Sequence, residues 1–107
     1  MDCIFCNITS GVIPTDFVAE SEHAVAFRDI TPRQPVHILV VPRQHFSDVA
    51  DLTDKNEAVL LDLLKLSRKV AAEFTDGSFR LSFNTGSAAG QTVFHAHAHV
   101  TAKGARA

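Results

Sequence analysis

The sequence predicts an α+β fold, an antiparallel sheet of about five strands with one long helix and a short N-terminal helix. Three observations carry that expectation. An apolar stripe recurs at three and four positions from Val59 to Phe74, several short apolar segments alternate or run as β-branched stretches, and glycine or proline separates them. The chain has 107 residues and is 46% hydrophobic, enough for one core, so a single domain over 1–107 is expected and disorder is excluded. Ten Lys and Arg against twelve Asp and Glu leave a net charge of -2 with no basic block, so no nucleic acid partner is expected. No apolar run approaches the roughly 20 residues of a membrane span, and Met1-Asp2-Cys3 lacks the flank and apolar stretch of a secretory signal. The expectation is therefore a cytoplasmic protein with no membrane partner. In that compartment two cysteines three apart are thiols for metal or redox work rather than a structural disulfide.

Taken in order, Ile4, Phe5 and Ile8 have helical spacing, and Gly11 with Pro14 ends a short helix that acts as a lid or brace. Phe17-Val18-Ala19 and His23 to Phe27 read as a hairpin across Glu20-Ser21-Glu22. Pro32 and Pro35 then impose a loop, because each fixes φ and removes a donor. His37-Ile38-Leu39-Val40-Val41, closed by Pro42, reads as a central strand covered on both faces. Thr53 is the expected N-cap of the main helix, with Asp54 and Glu57 in its first turn, and Asp76-Gly77 closes it. Phe79 to Asn84 alternates as a half-buried strand, Gly86 to Gly90 form a small-residue loop, and the last strand is expected from Thr92 to Val100. The tail from Thr101 to Ala107 is expected to fray.

Three of six histidines fall within five residues, at His95, His97 and His99. In a strand, strict alternation puts them on one face and Phe94, Ala96, Ala98 and Val100 on the other. The plainer reading is a solvated, histidine-rich face. A row of imidazoles, each needing partners for two nitrogens, points instead to binding or reaction. At about 3.3 Å per residue the outer two stand roughly 13 Å apart, too far to share an ion easily, so at most two adjacent members would ligate one metal. His97 and His99 are then free for chemistry near neutral pH. Just upstream, Asn84-Thr85-Gly86-Ser87-Ala88-Ala89-Gly90-Gln91-Thr92 is either an ordinary turn or a glycine-framed cradle for phosphate.

With these residues in view, Gly90-Gln91-Thr92-Val93-Phe94-His95-Ala96-His97-Ala98-His99-Val100 resembles the signature of the histidine triad family. The resemblance extends to Cys3-Ile4-Phe5-Cys6, to Phe27-Arg28-Asp29-Ile30 and to the segment from His37 to His45. It implies the histidine triad fold, two-fold homodimers, and hydrolases or transferases acting at the α-phosphate of nucleotides. By that similarity His97 is the nucleophile, oriented by the main-chain carbonyl of His95, and His99 donates to phosphoryl oxygens. Thr92 and Gln91 would contact leaving group and phosphate, and His37 would belong to the inner hydrogen-bonding shell or be a core histidine orienting its neighbours. Asp29 would anchor ribose, unless it caps the turn before Thr31-Pro32. Asn84 and Gly90 would sit beside phosphate or ribose, and Phe5, Ile8, Ile13, Phe27 and Ile30 would line the slot for the base.

The Cys3-x-x-Cys6 pair reads as a redox motif, as inert small hydrophobes, or as a zinc site. The redox motif is disfavoured by its place at the N-terminus. A structural zinc held by Cys3, Cys6, His45 and His95 matches a pattern of many bacterial members and would pin the N-terminal helix to the reactive strand. The expected function is hydrolysis of purine nucleotide conjugates such as nucleoside phosphoramidates of AMP. The alternatives are a dinucleoside polyphosphate hydrolase, or a nucleotide- or zinc-stabilised interaction module without turnover. Two features depart from the family pattern. Ala96 and Ala98 are small where bulky residues are usual, leaving space that Phe83 and Phe94 are expected to fill, and the chain stops soon after His99, which bears on leaving-group specificity.

Overall fold

The computed structural model describes residues 3–106. In chain order it comprises α1 (Ile4–Thr9), β1 (Phe17–Glu20), β2 (Ala24–Arg28), β3 (Val36–Pro42), α2 (Val49–Lys55), α3 (Glu57–Phe74), β4 (Arg80–Ser82) and β5 (Ala98–Ala102). A short 3-10 turn spans Ser87–Ala89. The strands form one five-stranded antiparallel sheet in the order β1-β2-β3-β5-β4, the α+β architecture that the patterning predicts.

Period-two alternation divides this sheet into two differently covered faces. Val36, Ile38 and Val40 of β3, Ala24 and Ala26 of β2, and Ala98, Val100 and Ala102 of β5 pack beneath Val59, Leu63, Leu66 and Val70 of α3. The opposite face carries Val25, Phe27, Leu39 and Val41, packed with Phe5 and Ile8 of α1. Each fully buried aliphatic side chain contributes about 1.5–3 kcal/mol, so the α3 face supplies most of the cohesion. The α1 face is smaller and leaves His37 and His99 beside a cleft.

Four expectations are corrected. The helix start is not Thr53, because Asp48 caps α2 by accepting from the Asp51 amide at 2.8 Å while the Asp51 carboxylate accepts from the Ser47 amide at 3.0 Å. Asn56, at φ -154° and ψ 89°, then breaks the helix and caps α3 through the Val59 amide. Thr53 lies inside α2, its hydroxyl donating to the Val49 carbonyl. The last strand begins at Ala98 rather than Thr92. Ahead of it the Ala96 amide donates to the Phe46 carbonyl at 2.6 Å instead of entering the sheet.

Phe94 is half exposed and does not fill the space around Ala96 and Ala98; Phe46, nearly buried, joins their cluster, with Phe83 packed against it. The tail is held rather than frayed over its described part. Ala105 bridges to Thr75, and Arg106 donates from its amide to the Phe74 carbonyl and from Nη1 to the Ala72 carbonyl at 2.7 Å, satisfying the C-terminal end of α3. Met1, Asp2 and Ala107 lie outside the described residues. Among the described residues no helix is long and apolar enough to cross a membrane.

Candidate functional site

Register decides what shares the cleft. Leu39 of β3 pairs with His99 of β5 and His37 with Thr101, so His37 and His99 are diagonal neighbours on the face away from α3. They open into a cleft of about 1000 Å³, at the upper end of small-molecule site volumes. Phe5 and Ile8 of α1, Phe27 of β2, the β2–β3 loop and the segment from Asn84 to Val93 form its remaining walls.

His97 lies at the floor of the cleft, buried, with Nδ1 at 2.8 Å from the main-chain oxygen of His95. A carbonyl can only accept, so Nδ1 carries the proton and Nε2 keeps its lone pair. Burial lowers the proton affinity of His97, opposed by that hydrogen bond and by the Asp29 charge. The ring is thus a neutral nitrogen base of fixed tautomer. Phe5 stands edge-on to it, centroids 5.0 Å apart, and limits its rotation.

A second chain of hydrogen bonds runs beside it. The Arg33 amide donates to His37 Nδ1 at 3.2 Å, so His37 Nε2 carries the proton and donates to His99 Nδ1 at 3.1 Å, with Asp29 Oδ2 at 3.4 Å alongside. His99 is left with Nε2–H as a donor. Its pKa is pushed down to about 4, first by burial and then by the neighbouring His97 and His37 charges, so it too is neutral at pH 7. Asp29 also accepts from the Thr31 amide at 2.9 Å and from its hydroxyl at 3.3 Å, so it both closes the turn and faces the cleft.

His95 points elsewhere. Its Nε2 donates to the Pro42 carbonyl at 2.8 Å, which leaves Nδ1 as an acceptor aimed at Cys3 Sγ at 3.3 Å, Cys6 Sγ at 3.4 Å and His45 Nδ1 at 3.2 Å. Cys6 Sγ is also 3.3 Å from His45 Nδ1. One lone pair cannot satisfy three surrounding donors. The spacing instead approaches the roughly 3.3–3.6 Å edges of a tetrahedron with metal–nitrogen and metal–sulfur bonds of about 2.0 and 2.3 Å. Burial, then the neighbouring Cys3, pushes the Cys6 thiol up to about 11, so a thiolate here needs a cation. The four groups could therefore hold a metal ion, and the Pro42 carbonyl supplies the outer hydrogen bond that orients a ligating histidine.

Asp29, His37 and His99 are equally close together, yet their tautomers argue against a metal. His37 accepts at Nδ1 from a main-chain N–H and so offers a proton, not a lone pair, at Nε2. In this second cluster the His37 Nε2 proton sits between His99 Nδ1 and Asp29 Oδ2.

The cleft brings together His97, His99, His37, Thr92, Asp29, Asn84, Gly90, Phe5, Ile8, Ile13, Phe27 and Ile30. Within the apolar group, Phe5, Ile8 and Phe27 are buried, whereas Ile13 and Ile30 are exposed, Ile30 at 94%. Gly90 adopts φ 92°, and Asn84 Nδ2 donates to the Ala89 carbonyl just before it at 2.8 Å, so the loop is held in a left-handed turn that glycine alone takes readily. Gln91, expected beside the phosphate, is not among the residues that line the cleft. Its amide is buried, accepting from the Gly86 amide at 2.8 Å and donating to the Ser47 and Val93 carbonyls, while its own main-chain N–H goes to Gly86. It clamps the loop to the rest of the protein. His95 likewise leaves the face expected to hold all three histidines. Arg33 and Leu39 line the cleft without having been singled out. Leu39 could have been found, since it follows His37 by two on one strand and so shares its face.

A family model described as scavenger mRNA decapping enzyme C-term binding matches residues 2–107. An uncharacterized HIT-like protein of Synechococcus elongatus is 43% identical over 101 residues, covering 92% of this chain and 88% of its own. Protein HitA of Neisseria gonorrhoeae is 37% identical over 101 residues, covering 92% and 94%. Among solved structures, a histidine triad protein from Clostridium difficile superposes with a TM-score of 0.87 at 39% identity, covering 100% of this chain and 92% of that one. A HIT family hydrolase from Clostridium thermocellum gives 0.86 at 38% identity, covering 94% and 89%. Fold, triad and these matches agree: the chain belongs to the histidine triad family.

Proposed function

We propose that this chain is a nucleotide hydrolase that cleaves purine nucleotide conjugates at the α-phosphate, nucleoside phosphoramidates foremost. The observation that carries this reading is the 2.8 Å bond from His97 Nδ1 to the His95 carbonyl at the floor of the cleft, which leaves Nε2 as a neutral nucleophile. Membership of a family with a structure named a HIT family hydrolase, and another named a histidine triad nucleotide-binding protein, supports both parts of it.

In this reading the base rests against Phe5, Ile8 and Phe27, with Ile13 and Ile30 closing the rim, and Asp29 accepts from the ribose hydroxyls. Asn84 and Gly90 flank the phosphate. His97 Nε2 attacks phosphorus and the P–N bond breaks as the leaving amine takes the Nε2 proton of His99, while Thr92 steadies the departing group and phosphoryl oxygens. His37 holds His99 in the donating tautomer. Water then attacks phosphorus, returns a proton to His99 Nε2, displaces His97 and frees the nucleotide. Adenosine 5′-phosphoramidate is the test: AMP should be released with a transient nucleotidyl adduct in the intact mass, and His97→Ala should abolish both. Tight binding with no release would replace the hydrolase by a binding module.

We further infer that Cys3, Cys6, His45 and His95 hold a structural zinc, since four thiol and imidazole donors leave no open position for chemistry. When bound, it supplies a fixed cross-link between α1 and the triad segment. Zinc-ligating cysteines suit a reducing, cytoplasmic compartment. A homodimer through β4 is supported by its edge position and by exposed Phe79 and Leu81, with exposed Leu61 on α3. A sedimentation mass of one chain would refute it.

A further inference from the structure

We infer that Cys3 and Cys6 form a peroxide-sensitive latch: oxidation to a disulfide dismantles the four-donor cluster and slackens the cleft wall that α1 provides. The inference deepens the proposed reading, because the latch governs the site where the nucleotide would bind. The Sγ and ring nitrogen atoms of Cys3, Cys6, His45 and His95 all lie within 4.8 Å of one another. One side of this cluster is sealed by His95, at 0% exposure, but His45 is exposed and both cysteines are only half-buried, so a small oxidant can reach the sulfurs.

What the latch holds is set by α1. Six residues make under two turns, too short to persist without anchors. Cys3 is its N-cap and Cys6 lies one turn on. Between them Phe5 turns into the protein, its ring 5.9 Å from that of His95 and 5.0 Å from that of His97. Phe5 and Ile8 also line the cleft. The cluster, the helix and the cleft wall are therefore one mechanical unit.

The chemistry balances with hydrogen peroxide as oxidant. One thiolate attacks a peroxide oxygen, the O–O bond breaks, and a sulfenic acid and hydroxide result. The second thiolate attacks that sulfur, forming the S–S bond and expelling a second hydroxide, so the two sulfurs lose two electrons and the peroxide gains them. A disulfide draws its sulfurs to about 2.05 Å, far closer than two ligands of one ion stand. His45 and His95 alone then no longer hold an ion. A thiol reductant reverses the step.

The experiment treats zinc-loaded protein with hydrogen peroxide. Expected results are release of the metal to a chromogenic chelator, an intact mass lower by two hydrogens with Cys3 linked to Cys6, faster amide exchange over residues 4–9, and AMP affinity about tenfold weaker. Reductant with zinc should restore all four. Retention of the metal, or its release with exchange over 4–9 and AMP affinity both unchanged, would overturn the latch. Cys6→His, which can ligate but not form the disulfide, should load zinc and ignore peroxide; metal loss from this variant on oxidation would also overturn it. If the reduced, loaded protein binds no AMP, the nucleotide reading fails by itself, and the exchange and metal measurements still decide the latch.

Discussion

At the scale of the residue, each imidazole is defined by what its second nitrogen meets. His97 and His95 both donate to main-chain oxygens, His37 accepts from a main-chain N–H, and His99 accepts from His37. Four rings of one kind thereby take different roles. Asp29 combines a turn with a cleft position, and one substitution separates them. Asp29→Asn keeps an oxygen for the Thr31 amide but removes the charge, so melting should change little while AMP binding weakens by about 1–3 kcal/mol. Equal AMP affinity in the wild type and Asn variant would leave Asp29 as a turn residue only. His99 makes stability depend on pH. Its folded pKa of about 4 lies below the 6.5 of a free imidazole, so between those values the unfolded chain holds a proton that the folded chain lacks. The contribution is complete above about pH 6.5 and is lost as pH falls toward 4. Urea midpoints taken across that window should fall with pH, and less steeply in His99→Gln. A slope unchanged by that substitution would contradict the assignment.

At the scale of the element, the loop from Asn84 to Val93 is shaped by a buried amide rather than by glycine alone. Gln91 ties Gly86, Ser47 and Val93 together. Gln91→Leu fills similar space but strands those main-chain groups, so it should cost about 2 kcal/mol or more and raise KM through the misplaced cleft wall. Full stability in this variant would show that the loop is held some other way. The local signals for these elements were uneven. The stripe on α3 was legible because its periodicity is written in neighbouring residues, whereas the break at Asn56 competed with a plausible cap at Thr53. The reciprocal use of Asp48 and Asp51 decided that competition.

At the scale of the whole molecule, the four-donor cluster joins α1, the segment after β3 and the segment before β5. A metal bound there stabilises the folded state by mass action, and its removal should be felt beyond the cluster. Chelation under reducing conditions should lower the melting temperature and speed exchange in α1, with close to one equivalent of zinc recovered per chain. An unmetalled protein of unchanged melting temperature would sink the structural role.

The sequence by itself determined the α+β class, the five strands, the long amphipathic helix, and the residue types gathered at Cys3-x-x-Cys6 and along the triad, because periodicity and spacing are properties of near neighbours. It also placed most of the cleft's lining through family resemblance. Alternation put all three triad histidines on one face, and only the resemblance paired His95 with the cysteines; the tertiary structure turns His95 toward sulfurs 92 and 89 positions away, leaves His97 and His99 in the cleft, and uses the Gln91 amide to clamp its loop. The physical reason is that the direction of a buried polar side chain is set by the partner that satisfies it, and such partners lie far off along the chain.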